Sequence, residues 1–186
     1  MSKVALAAVE YLLSNNLNKL IDSIVFSGIS VNDIIILEKY GYDIIIQIIQ
    51  NIDLEEDVID YLTDLYNFHL FVDSLVQYQT LNSHTLIKLL DNSITPSYTE
   101  WIYTKQKLSE SVIDFCINRQ LALDALLLHQ NLTEEQIKSL LERLDENMED
   151  FRVEWILKSL PENYYASLLT HKYQLVRNII KSLLES

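Results

Sequence analysis

Apolar residues along the chain follow a recurring pattern that begins at a helix-capping position. Leu132 is followed by Thr133, whose hydroxyl can accept a hydrogen bond from an unpaired N–H group at a helix start. Apolar side chains then come at Ile137, Leu140 and Leu141, which share one face of a helix. A similar pattern predicts six helix starts, at residues 30, 53, 82, 109, 133 and 161.

Successive helix starts are 23–29 residues apart, which leaves room for a second short helix in each interval. These second helices are predicted over residues 42–51, 68–79, 96–106, 120–130 and 147–158. The Ile-rich segment 42–52 could form a strand by itself, but the chain offers no comparable partner strand. Only 2 Gly and 2 Pro occur in 186 residues, so helices joined by short connections are favoured over hairpins.

Short helix pairs in units of under 30 residues resemble HEAT-like repeats and the related leucine-rich repeat variant. The resemblance covers about residues 29–186. It implies an all-α, irregular α-solenoid in which neighbouring repeats bury one another's apolar faces. An irregular helical bundle with similar caps is the alternative.

We expect one helical-repeat domain over residues 1–186. Its parts are N-terminal helices over 1–28, repeats over 29–159, and C-terminal helices over 160–186 that cap the stack. The capping helices end in an apolar stripe that begins at Leu175, with Arg177 and Lys181 on the other side.

The formal net charge of −13 is concentrated in the first half of the chain. No Lys or Arg occurs between Tyr40 and Ile87, whereas eight acidic residues do. Affinity for phosphate backbones depends on Lys and Arg, so direct binding of nucleic acid is disfavoured. A protein partner with a basic surface is the expected ligand.

Acidic residues recur at helical spacing in the segment 53–67. Glu56, Asp60 and Asp64 fall on one face of the predicted helix, with Asp57 beside them. We expect this face to dock a basic partner, acting on association rate and specificity. The alternative is a solvated outer face without a partner.

Aromatic residues supply the second set of candidate binding residues. Tyr98 and Trp101 can share a helix face, and Trp155 follows Phe151 at helical spacing. Aromatic side chains anchor many protein interfaces. The alternative is that these side chains belong to the hydrophobic core.

No catalytic or cofactor signature is found. Two glycines, Gly28 and Gly41, cannot build a phosphate-binding loop, and the four histidines are far apart in sequence. Neither a nucleophile motif nor a metal-ligand motif occurs. We therefore expect a protein that is not an enzyme and needs no cofactor or metal.

The sequence predicts a protein–protein interaction module that works as an adaptor or inhibitor. One alternative is an acidic mimic of nucleic acid, of phage or viral origin, that blocks a DNA- or RNA-binding protein. Another is a structural protein that self-associates as a homo-oligomer. The single Cys116, the absence of a signal segment and the short apolar runs predict a reducing cytoplasm (the host's, for a virus) and no membrane span.

Overall fold

The computed structural model describes residues 2–15, 17–92 and 95–185. Within these ranges the regular structure is wholly helical, with fourteen α-helices and no strand, which confirms the all-α prediction. The helices are α1 Lys3–Ser14, α2 Leu17–Ser27, α3 Val31–Leu37, α4 Tyr42–Asn51, α5 Glu56–Asp64, α6 Val72–Tyr78, α7 Ser83–Asp91, α8 Pro96–Lys105, α9 Glu110–Asn118, α10 Leu123–His129, α11 Glu134–Glu142, α12 Asp150–Ser159, α13 Tyr165–Leu168 and α14 Gln174–Glu185. In the described part of the chain, no helix is both long and apolar enough to cross a bilayer.

The chain divides into two compact units, residues 1–86 and 87–186, here called the N-terminal and C-terminal units. The boundary falls within α7. In the N-terminal unit α1 packs against α2 and α3, α3 against α4 and α5, and α4 against α6. In the C-terminal unit α9 packs against α11, while α8, α10, α12 and α14 pack in that order. Many helices therefore contact the helix two places further along the chain. The prediction of a single domain stays a prediction.

The Ile-rich segment forms helix α4, as predicted. Ile44, Ile45, Ile48 and Ile49 lie on one face and are at most 5% exposed. β-Branched residues lose rotamer freedom in a helix, but burying four of them against the unit's core outweighs that cost.

At several of the predicted helix starts, the capping side chain accepts a hydrogen bond from the N–H group three residues later. Thr133 Oγ1 accepts from the Gln136 N–H at 3.2 Å, and Gln136 Oε1 accepts from the Thr133 N–H at 3.0 Å. Asn82 Oδ1 accepts from the Thr85 N–H at 2.7 Å. By contrast, α5 begins two residues later than predicted, with Glu55 rather than Asp53 at its N-cap and no side-chain cap.

Two glutamines secure the connections between helices in the same way, one in each unit. Gln79, just after α6, donates from Nε2 to the carbonyls of Ile49 (2.6 Å) and Ile52 (2.8 Å). Its Oε1 accepts from the Leu54 N–H at 2.9 Å. One amide thus satisfies two carbonyls at the end of α4 and one N–H before α5.

Gln130, just after α10, repeats this arrangement on the connection between α8 and α9. Its Nε2 donates to the carbonyls of Tyr103 (2.6 Å) and Gln106 (3.0 Å), and its Oε1 accepts from the Leu108 N–H at 3.0 Å. We call Gln79 and Gln130 the glutamine clamps. An amide is suited to this place because it carries two donors and an acceptor on one planar group.

Replacing Gln130 with Glu keeps the shape of the side chain but removes both donors. A carboxylate would then face two backbone carbonyls, so Gln130→Glu is expected to lower the free energy of unfolding by about 2–4 kcal/mol. Gln79→Glu should act similarly. The measurement is urea unfolding followed by far-UV circular dichroism. Gln77→Glu is the matched control, because Gln77 lies close to Gln79 at the end of α6 but is exposed. Equal effects at positions 77 and 79 would contradict the role of the clamp.

The start of α3 contains a buried carboxylate. Asp33 is only 6% exposed, and it accepts from Ser30 Oγ at 2.7 Å, from the Ser30 N–H at 3.1 Å and from the Ser2 hydroxyl. Burial acts to raise the pKa of Asp33, but the hydrogen bonds from Ser2 and Ser30 outweigh it. The pKa of Asp33 is lowered from the ordinary value of 3.8.

Because the folded state depresses this pKa, the ionised carboxyl stabilises the fold above about pH 4, and the contribution is lost as the pH falls below that value. Asp33→Asn is therefore expected to cost about 1 kcal/mol of unfolding free energy at pH 7, with the difference shrinking towards pH 3. Unfolding in urea at pH 7, 5 and 3 measures it. Asp22→Asn, at an exposed position of α2, is the control. A difference independent of pH would show that the charge of Asp33 contributes nothing.

Candidate functional site

The acidic residues predicted to bind a partner lie on α5 in the N-terminal unit. Helix α5 buries Val58, Ile59 and Leu62, and this orients the acidic residues away from the core. Glu56, Asp57 and Asp64 are exposed, while Asp60 is half-buried. These four acidic residues are called the acidic strip.

Two carboxylates of the acidic strip are hydrogen-bonded to the start of α7. Asp60 Oδ1 accepts from Thr85 Oγ1 at 3.0 Å, and Glu56 accepts from the Asn82 amide. Asn82 also caps α7, so Glu56 orients the side chain that begins that helix. Glu56 and Asp60 therefore stabilise the packing of the N-terminal unit as well as contributing to its negative charge.

Exposed carboxylates extend beyond the acidic strip towards the connection that precedes α5. Asp53 and Glu55 are both exposed, and Asp57 follows them within the first helical turn. Negative charge is favourable at a helix N-terminus because unpaired N–H groups lie there. These three carboxylates face solvent, and a cationic surface could reach them.

Tyr98 and Trp101 form an aromatic pair on α8 in the C-terminal unit. Their ring centroids are 5.4 Å apart at an interplanar angle of 51°, and both side chains are half-buried. The next residues, Ile102 and Tyr103, are at most 1% exposed. The pair therefore borders the core of the unit.

Trp155 lies on α12 and lines a surface groove. The groove has a volume of about 490 Å³ and includes Phe151, Leu128 and Ala125. Phe151 is 64% exposed, Leu128 59% and Trp155 38%. We call it the α10–α12 groove, because most of its lining residues come from these two helices. Tyr98 and Trp101 are not among its described lining residues.

Arg152 connects the two helices beside this groove. Its guanidinium donates from one Nη to both carboxylate oxygens of Asp124 at 2.9 and 3.1 Å, and from Nε to Glu149 at 2.9 Å. The guanidinium carbon also lies 5.7 Å from the centre of the Phe151 ring. Asp124 lies 28 residues before Arg152 in the chain, so no local sequence signal links the two residues.

Cys116 is a buried core residue. It is 0% exposed on α9, and burial raises the pKa of its thiol to about 11. The neighbouring Tyr103 is buried too, and its hydroxyl donates to the Leu121 carbonyl at 2.8 Å. Across the residues that the structure describes, no group of three or more His, Cys, Asp or Glu side chains could hold a metal ion.

Comparison of this chain with protein-family models, with curated proteins and with solved structures finds no match.

The raised pKa of Cys116 predicts a thiol that reacts slowly while the protein is folded. At pH 8 a pKa of about 11 in place of 9.0 reduces the thiolate fraction roughly a hundredfold, and burial slows attack further. Labelling with Ellman's reagent should be at least a hundredfold slower in buffer than for the protein unfolded in about 8 M urea. Rapid labelling of the native protein would contradict the burial of Cys116.

Proposed function

We propose that this protein is a non-enzymatic helical-repeat module that binds another protein, as an adaptor or inhibitor, through the acidic surface of its N-terminal unit. The observation that carries the proposal is charge. Residues 1–86 contain twelve acidic residues and three basic ones, a net charge of −9. Residues 87–186 contain fifteen acidic and eleven basic residues, a net charge of only −4.

Recurring contacts inside each unit support an α-solenoid rather than an irregular bundle. The glutamine clamps hold equivalent backbone groups in the two units, although Gln79 and Gln130 belong to different helix pairs. Hydrogen bonds between side chains also span about one repeat, as between Arg152 and Asp124. In a repeat stack each repeat contacts its neighbours in the same way, so equivalent contacts recur about one repeat apart in the sequence. HEAT-like repeats remain the family type that we propose.

Basic residues are scarce in the N-terminal unit, where three Lys and no Arg accompany twelve acidic residues. No Lys or Arg occurs between Tyr40 and Ile87. A basic partner would complement the net negative charge of the N-terminal unit, and its approach would be accelerated by the field of that unit. Asp53, Glu55 and Asp57 are exposed, so a partner can reach their carboxylates.

A nucleic-acid mimic is the rival function, and the hydrogen bonding of the carboxylates weighs against it. Mimicry needs a continuous band of acidic groups that all face outward. Asp33 is buried, and Glu56 and Asp60 accept hydrogen bonds from their own unit. In the described part of the N-terminal unit, exposed carboxylates follow one another closely only around the start of α5, at Asp53, Glu55, Glu56 and Asp57, which suits a localised contact with a protein.

The proposal predicts that this protein captures a basic protein. The binding should depend on salt and on the carboxylates just before and at the start of α5. The test variant is Asp53→Asn/Glu55→Gln/Asp57→Asn, which spares the hydrogen-bonded Glu56 and Asp60. Loss of three exposed charges should weaken binding about tenfold at physiological salt, as each exposed pair contributes about 0.2–1 kcal/mol. Affinity capture from a lysate of the native cells, followed by titration with the purified partner, measures this.

The matched control is Glu135→Gln/Glu142→Gln/Glu146→Gln, which removes the same number of exposed charges from the C-terminal unit. It should leave the affinity within about twofold of the wild type. Capture that persists in the test variant and in 1 M salt (Debye length about 3 Å) would reject the acidic surface as the binding site.

A further inference from the structure

The α10–α12 groove exposes large apolar side chains around a buried small one. Ala125 is 7% exposed and forms the floor, whereas Leu128 and Phe151 each expose more than half of their surface. Glu100 of α8 is an exposed residue on the rim. The walls are too exposed to enclose a small molecule, which normally buries about 70–90% of its surface on binding. An elongated ligand that lies along the surface fits this shape better.

The apolar residues of the groove are spaced for a helical ligand. Phe151 and Trp155 are four residues apart on α12, so they lie about 6 Å apart along the helix axis. Leu128 on α10 stands on the facing side. A partner helix with apolar side chains at positions i and i+4 repeats the same spacing and can contact all three residues.

An ion pair between the two helices fixes the shape of the groove. Arg152 joins α12 to Asp124 of α10 with two hydrogen bonds from one nitrogen, and both side chains are only 25–30% exposed. Lys158 pairs with Glu154 at 2.5 Å along α12. A preformed site avoids the entropic cost of ordering itself on binding.

The same pairs determine the charge that a ligand meets. Three carboxylates line the groove, those of Glu100, Asp124 and Glu154. Arg152 and Lys158 compensate the last two. Glu100 lies 3.9 Å from His129 Nε2, which forms an ion pair with it only in the protonated state, and 55% of the Glu100 side chain is exposed. The rim next to α8 is therefore negative and complements a Lys or Arg on the ligand.

We propose that the α10–α12 groove docks an amphipathic basic helix of a partner protein. Two apolar side chains of that helix, one turn apart, contact Leu128, Phe151 and Trp155, and a flanking Lys or Arg approaches Glu100. The groove belongs to the C-terminal unit alone, so this site is separate from the acidic surface proposed above. Either of the two proposals can therefore be rejected while the other stands.

The probe is a synthetic peptide of about fourteen residues, composed of Leu and Lys, with every Leu on one helical face. The reference peptide has the same composition with its leucines distributed around the helix. Binding is followed in the full-length Trp101→Phe protein, where Trp155 is the only remaining tryptophan. The amphipathic peptide should shift the Trp155 emission to the blue and bind at least tenfold more tightly than the reference peptide.

Single substitutions then locate the contact. Leu128→Ser and Phe151→Ser should each weaken binding about tenfold, as expected for central apolar contacts, and Glu100→Gln about two- to threefold. Because these side chains are exposed, thermal melting should show that the variants remain folded. Leu184→Ser is the control, since Leu184 is 55% exposed on α14 and does not line the groove.

Three results would overturn the groove proposal. They are equal binding of both peptides, no binding of the amphipathic peptide at millimolar concentration, and wild-type affinity in Leu128→Ser and Phe151→Ser. Loss of binding in Asp53→Asn/Glu55→Gln/Asp57→Asn, with wild-type binding in the groove variants, would move the peptide to the acidic surface. That result would reject the groove and leave the function proposed for the N-terminal unit intact.

Discussion

Short helices impose one constraint on the whole chain, namely that their many ends must be hydrogen-bonded. The first N–H groups and last carbonyls of a helix have no partner within it, and no described helix exceeds 12 residues. Unpaired backbone groups inside a core each cost about 1–3 kcal/mol. Gln79 and Gln130 meet this demand by joining three backbone groups apiece across two connections. Tight packing of the connections depends on them.

The sequence predicts the helices well where a short-range hydrogen bond sets their start. Ser30 and Thr133 close capping boxes with residues three positions later, so the interacting groups are neighbours in the chain. Helix α5 starts later than predicted, at a Glu55 cap that makes no side-chain bond. The helical class itself follows from apolar periodicity and scarce glycine, both visible without any tertiary contact.

The contacts that hold helices to one another could not be predicted from single positions. Gln77 and Gln79 are two residues apart, yet one is exposed and the other buried against backbone about 25–30 residues away. Glu56 looks like part of a solvated acidic face, and its bond to Asn82 appears only when α7 is in place. One signal was available, since Gln79 and Gln130 each precede by two residues a Leu that comes just before a predicted helix cap. Recognising it requires knowing that the connection contains unpaired groups.

The two units differ in how far their acidic residues are balanced by basic ones. In the C-terminal unit Arg152 and Lys158 are paired with carboxylates, so the local field beside the exposed apolar side chains of the α10–α12 groove is small. In the N-terminal unit three Lys and no Arg accompany twelve acidic residues, and the field of its carboxylates extends about 8–10 Å into solvent. Long-range charge mainly raises association rates, whereas apolar contacts mainly slow dissociation. A basic amphipathic partner would experience both effects, and salt would weaken only the first.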